Sequence, residues 1–158
     1  MASTRVLAFD PKGRLYVGSI TQPGWMGQPD RGALFRIDFT GEIPFEIQTI
    51  HAKPDGFQLV LTRPVDPRTA CDFVSYGIEH YRYEYTGAYG SPELERSRLN
   101  IRQVELQPDG RTVNLTTAPL VKDRVYAISA AGLRSLRGEK PVHVTGVYTL
   151  NEIPTKRR

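Results

Sequence analysis

No window of this chain shows a helical apolar period sustained over ten residues. That absence restricts the fold to strands, with at most a turn or two of helix. The best-marked strand is Phe57-Gln-Leu-Val-Leu-Thr-Arg-Pro-Val-Asp66. Phe57, Leu59 and Leu61 fall on one face of an extended segment, and Gln58, Val60 and Thr62 on the other. Pro64 has no N–H for a ladder, so the strand ends or reaches an edge there, and Asp66-Pro67 opens a turn.

Before this strand the chain reads as four strands around a long loop. Val6–Phe9 and Arg14–Ile20 flank Asp10-Pro-Lys-Gly13, a turn with Pro second and Gly last, as a type I turn prefers. Thr21–Gly32 is rich in Gly and Pro and holds the only tryptophan, Trp25, beside Met26. Ala33–Phe39 and Phe45–His51 complete the set. Four short strands of this size and rhythm match one β-propeller blade, a unit whose faces need neighbours.

After Phe57 the pattern becomes that of an immunoglobulin-like β-sandwich, with six or seven short strands in the remaining sequence. Tyr76–Tyr85 is a long strand, and Glu93–Asn100 a polar connection. Ile101–Leu106 and Thr112–Thr116 form a hairpin around Pro108-Asp-Gly110, with Val104 and Leu106 facing Val113 and Leu115. Arg124–Ser129 and Val142–Leu150 are the last strands, with a turn at Arg137-Gly138 before the second of them. The expected division is therefore 1–52 as a four-stranded blade-like sheet, 53–154 as the sandwich and 155–158 as a basic tail. Phe57, Leu59, Leu61, Val104, Leu106, Val113, Leu115 and Ile128 are the expected core.

The motifs, in order, are Phe9-Asp-Pro-Lys-Gly-Arg-Leu-Tyr-Val-Gly18, Gly24-Trp25, Leu34-Phe-Arg-Ile37, Pro44-Phe-Glu-Ile47, Asp55-Gly-Phe57, Thr62-Arg-Pro-Val-Asp66, Tyr89-Gly-Ser-Pro92 and Tyr148-Thr-Leu-Asn-Glu-Ile-Pro154. In this order they resemble the C-terminal region of planctomycete-type membrane-bound dehydrogenase-like proteins, relatives of glucose/sorbosone dehydrogenases. There a last propeller blade runs into an immunoglobulin- or fibronectin-like domain. The resemblance implies an accessory region in a periplasmic or extracytoplasmic setting. It carries over no activity: Asp123-Arg-Val-Tyr126 stands where members carry a His-rich strand, and the family's catalytic His, quinone site and calcium ligands have no matching positions in this chain.

Composition narrows the partners. The net charge is +4, but Lys156, Arg157 and Arg158 supply three of those charges at the C-terminus, so a solvated tail explains the basic balance and nucleic acid is not expected. A single cysteine, Cys71, excludes an internal disulfide and any C-x-x-C site, and is expected to be a small buried apolar residue. No window has the length of a membrane span, and the first residues contain no signal-peptide apolar run.

Tyr81, Tyr83 and Tyr85 alternate with His80, Arg82 and Glu84, and five of the eight tyrosines lie between 76 and 89. An exposed row of this kind stacks on sugar rings or nucleobases, whereas a cross-strand ladder of tyrosines covers a sheet. Trp25 and Met26 mark a candidate partner-contact loop. His51, His80 and His143 have no partner at ligand spacing, and Asp10, Asp38, Asp55, Asp66 and Asp109 are each explained by turn chemistry. Asn114-Leu-Thr116 matches a glycosylation acceptor, but lies mid-strand.

The expectation is a non-catalytic structural or protein-interaction module that binds no quinone, haem, flavin or metal. A protein partner or a second copy would cover its N-terminal third. The alternatives are a carbohydrate-binding module using the tyrosine face and the C-terminal fragment of a sugar-dehydrogenase-like enzyme.

Overall fold

The computed structural model describes residues 3–20, 32–87 and 90–155. Its strands are β1 (Ser3–Phe9), β2 (Leu15–Ile20), β3 (Ala33–Ile37), β4 (Ile47–Lys53), β5 (Gly56–Leu61), β6 (Gly77–Tyr83), β7 (Glu93–Arg98), β8 (Ile101–Leu106), β9 (Thr112–Thr117), β10 (Arg124–Ser129) and β11 (Thr145–Leu150). A four-residue helix α1 (Pro67–Ala70) and a 3₁₀ turn at Phe73–Ser75 join β5 to β6. The chain divides into two compact units, 1–42 and 43–158.

The first unit is a three-stranded antiparallel sheet, β1-β2-β3. Its leading turn forms because Asp10 Oδ1 accepts the N–H groups of Lys12 and Arg14 at 2.9 and 3.0 Å. Desolvation opposes ionisation of Asp10, but the Arg14 N–H and side chain outweigh it and hold its carboxyl below the usual range. The expected fourth strand of a blade is absent from this sheet. Its residues form β4, which pairs with β5 through Ile50↔Leu59 and Ala52↔Phe57. The division accordingly falls at 42/43 rather than at 52/53. The apolar rhythm of Phe45–His51 suits either sheet, and its partner is chosen by packing: Phe45 is buried in the core of the second unit.

That second unit is a β-sandwich of two antiparallel sheets, ordered β4-β5-β9-β8 and β11-β10-β6-β7. These are the strand orders of an immunoglobulin-type sandwich with one added edge strand. One sheet brings Phe57, Leu59, Leu61, Val113 and Leu115 to the core, and the other Ile78, Tyr126, Ile128 and Leu150. Val104 pairs with Leu115 and Leu106 with Val113, as the alternation predicts, and both pack at the margin of the core. The hairpin between them is held by Asp109, which accepts from Arg111 N–H, Thr112 N–H and Thr112 Oγ1 at 2.9, 2.9 and 2.6 Å.

Gly56 has a specific reason to be glycine. A Cβ built there would lie 1.9 Å from the carbonyl oxygen of Leu115 on the paired strand.

Two further expectations are corrected. Glu93–Arg98, read as a polar connection, is the edge strand β7, whose charged side chains obscure any apolar period. Cys71 is exposed. Asp66 caps α1 by accepting the Arg68 N–H, and the single helical turn that follows points Ala70 inward and leaves Cys71 at the outer end.

Candidate interaction surfaces

Register assigns the first unit's side chains to two unlike faces. Leu7 pairs with Val17 and Phe9 with Leu15, while Val17 pairs with Phe35 and Leu15 with Ile37. Six apolar side chains therefore share one face: Leu7, Phe9, Leu15, Val17, Phe35 and Ile37. Ala8, Tyr16, Arg36 and Leu34 lie on the other. Exposure reaches 73% at Phe9 and 52% at both Phe35 and Ile37. Among the described residues of this unit no second layer packs on the apolar face. Trp25 and Met26, the candidate contact residues, lie outside the described residues.

The tyrosine row does not form one open face. In β6 and β7, His80 pairs with Ser97 but Arg82 with Leu94, so Glu95 and Arg96 together oppose Tyr81. This is a β-bulge, and Glu95 takes a φ of 55° within it. The extra residue places the Arg96 guanidinium 4.5 Å over the Tyr81 ring. Arg96 is held there by Glu93 and, at 2.7 Å, by Glu79. Tyr83 meets Tyr81 edge-on at 5.4 Å. Tyr81 is consequently buried, Tyr83 is half exposed, and Tyr85 lies beyond the strand and is fully exposed. Tyr81 is thus covered from β7 by Arg96, and Tyr83 stands edge-on beside it on the same strand, an arrangement that is neither an open row nor a cross-strand ladder.

The three histidines occupy separate places. His80 lies with its ring 5.4 Å from that of Tyr126 and its Nε2 3.2 Å from Ser97 Oγ. Its Nδ1 is buried without a hydrogen-bond partner. Burial, and then the nearby Arg124 charge, lower its pKa. His143 joins Glu46 at the seam between the sheets: Glu46 Oε2 accepts from the His143 backbone N–H and lies 2.8 Å from its Nδ1. Burial raises the Glu46 carboxyl, but the N–H groups of His143 and Ile47 and the imidazole outweigh it, and the net pKa is lowered. His51 is exposed on β4.

No group of three or more His, Cys, Asp or Glu among the described residues is arranged to hold a metal ion. Asp66 and Asp109 serve their own turns, as the sequence predicts, and Asp38 pairs with Arg36 at 2.8 Å. Asn114 accepts from Gln58 Nε2 at 2.9 Å across β5 and β9.

A concave area of about 650 Å³ lies where the chain crosses from β7 to β8. Gly77, Ala127, Ser129 and Thr145 are among its lining residues, with Phe73, Arg96 and Arg98 beside them. A second hollow, of about 330 Å³, separates the edges β4 and β11.

Sequence reasoning missed one structural residue, Tyr126. Its hydroxyl donates to the Val121 carbonyl at 2.8 Å and accepts the Val121 N–H at 2.8 Å. A Tyr bonded to backbone a few residues upstream on this strand is the tyrosine corner of immunoglobulin-type sandwiches. The signal was present: a lone Tyr at an inward position of Arg124–Ser129 needs a hydroxyl partner.

Fold and surfaces together define an all-β chain in which an immunoglobulin-type sandwich follows a small sheet whose apolar face meets no second layer among the described residues of its unit. No protein-family model matches the sequence, and no curated protein matches it. Among solved structures, the chain is similar to the bacterial surface-layer protein SbsC, described as domains 1–6, as rSbsC(31–844) and as the N-terminal part. In each case the TM-score is 0.52, with 22% identity over 69% of this chain. The chain spans 14% of the first two structures and 24% of the third. The likeness is one of fold. No helix among the described residues is long and apolar enough to cross a membrane.

Proposed function

We propose that this chain is a non-catalytic structural or protein-interaction module of a larger assembly. The observation that carries the reading is the apolar face of the first unit, formed by Leu7, Phe9, Leu15, Val17, Phe35 and Ile37. Soluble chains rarely leave such a contiguous patch in water, and large patches mark protein contacts. A three-stranded sheet is also marginal by itself, and no second layer packs on it among the described residues of its unit. The face is therefore covered by another polypeptide in the working state. The fold shared with a surface-layer protein supports a structural role, and an extracytoplasmic or cell-surface setting goes with it. Trp25 and Met26, outside the described residues, are proposed to extend the same contact.

Light scattering across a concentration series, with a hydrophobic dye alongside, tests this. The chain is expected to bind dye and to associate, and a Phe35→Ser/Ile37→Ser variant to lose the dye binding and to associate less. Trp25→Ala tests how far the contact extends. A monodisperse monomer that binds no dye would overturn the reading.

A further inference from the structure

The sandwich has four edge strands, β4, β7, β8 and β11. Exposed edges pair with other chains unless they are blunted by charge, proline or bulges. Three of these four are blunted. β4 carries an extra residue, Gln48, between Ile47↔Leu61 and Thr49↔Val60, and ends at Lys53. β7 has its bulge at Glu95 and Arg96, with Glu93 and Arg98 beside it. β8 has an extra Arg102 between Ile101↔Thr117 and Gln103↔Thr116, and carries Glu105.

β11, Thr-Gly-Val-Tyr-Thr-Leu, has none of these features. It pairs with β10 in unbroken register from Arg124↔Leu150 to Ser129↔Thr145. It holds no charge and no proline. The segment before it is tied to the opposite sheet by the Val142 and His143 N–H groups, which donate to Phe45 and Glu46, so the open length is β11 itself.

The ladder's parity says which groups face outward. Ala130 N–H donates to the Val144 carbonyl, which makes Ile128↔Gly146 and Tyr126↔Tyr148 the hydrogen-bonded pairs. Thr145, Val147 and Thr149 then point N–H and C=O at the open side. Among the described residues no other backbone meets those groups. The side chains of the same three residues are exposed, Val147 to 62%.

We propose that β11 is a self-pairing edge, through which two copies of this chain join antiparallel about a twofold axis at Val147. The strand is complementary to itself in that register. Val147 opposes Val147 of the second copy, and Thr145 opposes Thr149, both favourable cross-strand pairs, with no like charges facing. On the inner face Gly146 opposes Tyr148. Gly146 is itself dictated by packing, since a Cβ there would lie 2.4 Å from Ile50 Cδ1. This surface shares no residue with the apolar face of the first unit, and the inference stands or falls separately from that reading.

Sedimentation equilibrium on the full chain, with disulfide trapping beside it, is the test. Val147→Lys places two ammonium groups against each other at the axis and is expected to raise the dimer dissociation constant at least tenfold. Val147→Pro removes only an outward N–H and is expected to do the same, whereas Arg98→Ala on β7 should leave it unchanged. In a Cys71→Ser background, Val147→Cys should cross-link to itself, because hydrogen-bonded partners lie about 5.5 Å apart at Cα, within disulfide reach. Thr145→Cys alone should not; Thr145→Cys with Thr149→Cys should. Unchanged association in Val147→Lys, or equal cross-linking at 145 and 147, overturns the proposal. A Val147→Cys protein that stays uncross-linked under oxidant does so even if the lysine variant fails to fold. Association lost in Phe35→Ser but untouched by every β11 variant removes this inference and keeps the reading of the first unit; the converse result does the opposite.

Discussion

The Tyr126 hydroxyl holds both the N–H and the C=O of Val121, each at 2.8 Å, while its ring lies 5.0 Å from that of Phe57 across the sandwich. One side chain thus pins the approach to β10 and joins the two sheets. Tyr126→Phe keeps the ring and removes only the hydroxyl. It is expected to destabilise the sandwich by about 1–3 kcal/mol, because two backbone groups lose their partner. Urea unfolding measures this; a loss under half that range would mean that water replaces the hydroxyl.

Leu59 is fully buried in the middle of the core, on a strand paired on both sides. Leu59→Ala should cost about 2–5 kcal/mol, the usual range for a cavity that cannot collapse. Leu34→Ala is the contrast, since Leu34 is exposed on the first unit's mixed face, and it should leave the second unit's unfolding unchanged.

Gly56→Ala should be worse than its size suggests. The added methyl meets a backbone carbonyl at 1.9 Å, which no rotamer relieves. A loss above about 2 kcal/mol, or failure to accumulate as folded protein, is expected. Circular dichroism with urea titration reads it, and near-wild-type stability would mean that β5 and β9 are spaced more widely than described.

His80 predicts a pH dependence. Its pKa is lowered in the folded state, by burial and then by Arg124, so the unfolded chain binds the proton more readily. The stability it contributes is complete above the ordinary value of 6.5 and is lost as pH falls from there through the lower folded value. His80→Gln should flatten that part of the stability profile between about pH 7 and pH 5. The His143–Glu46 pair at the seam remains in both proteins and cancels in the comparison.

Much of the sandwich is legible in the sequence, because half-buried strands alternate. β5, the β8–β9 hairpin and β10 follow directly from apolar residues at every second position between turn residues. β7 was hidden because an edge strand guarded by Glu93, Glu95, Arg96 and Arg98 has no apolar period to read. The partner of β4 was hidden because alternation specifies a face and leaves the neighbour open. The Tyr81–Tyr83–Tyr85 row is not one continuous open face for a third reason: a one-residue bulge on the facing strand places Arg96 over Tyr81, and bulges leave no mark in the sequence of the strand they cover. The apolar character of the first unit's sheet was visible, but its concentration on one face emerged only from the β1–β2–β3 register.

The apolar face of that sheet, if a partner covers it as proposed, has a thermodynamic consequence. A layer that reaches its full burial only against another molecule has a folding equilibrium linked to the concentration of that molecule. Amide protection at Leu15–Val17 would then follow a binding isotherm, rising as partner is added and fading on dilution. Leu59 and Val113, enclosed by their own sandwich, would stay protected at any dilution. One polypeptide would therefore carry a unit whose order is intrinsic beside a unit whose order is conferred, and hydrogen exchange would separate the two by dilution alone.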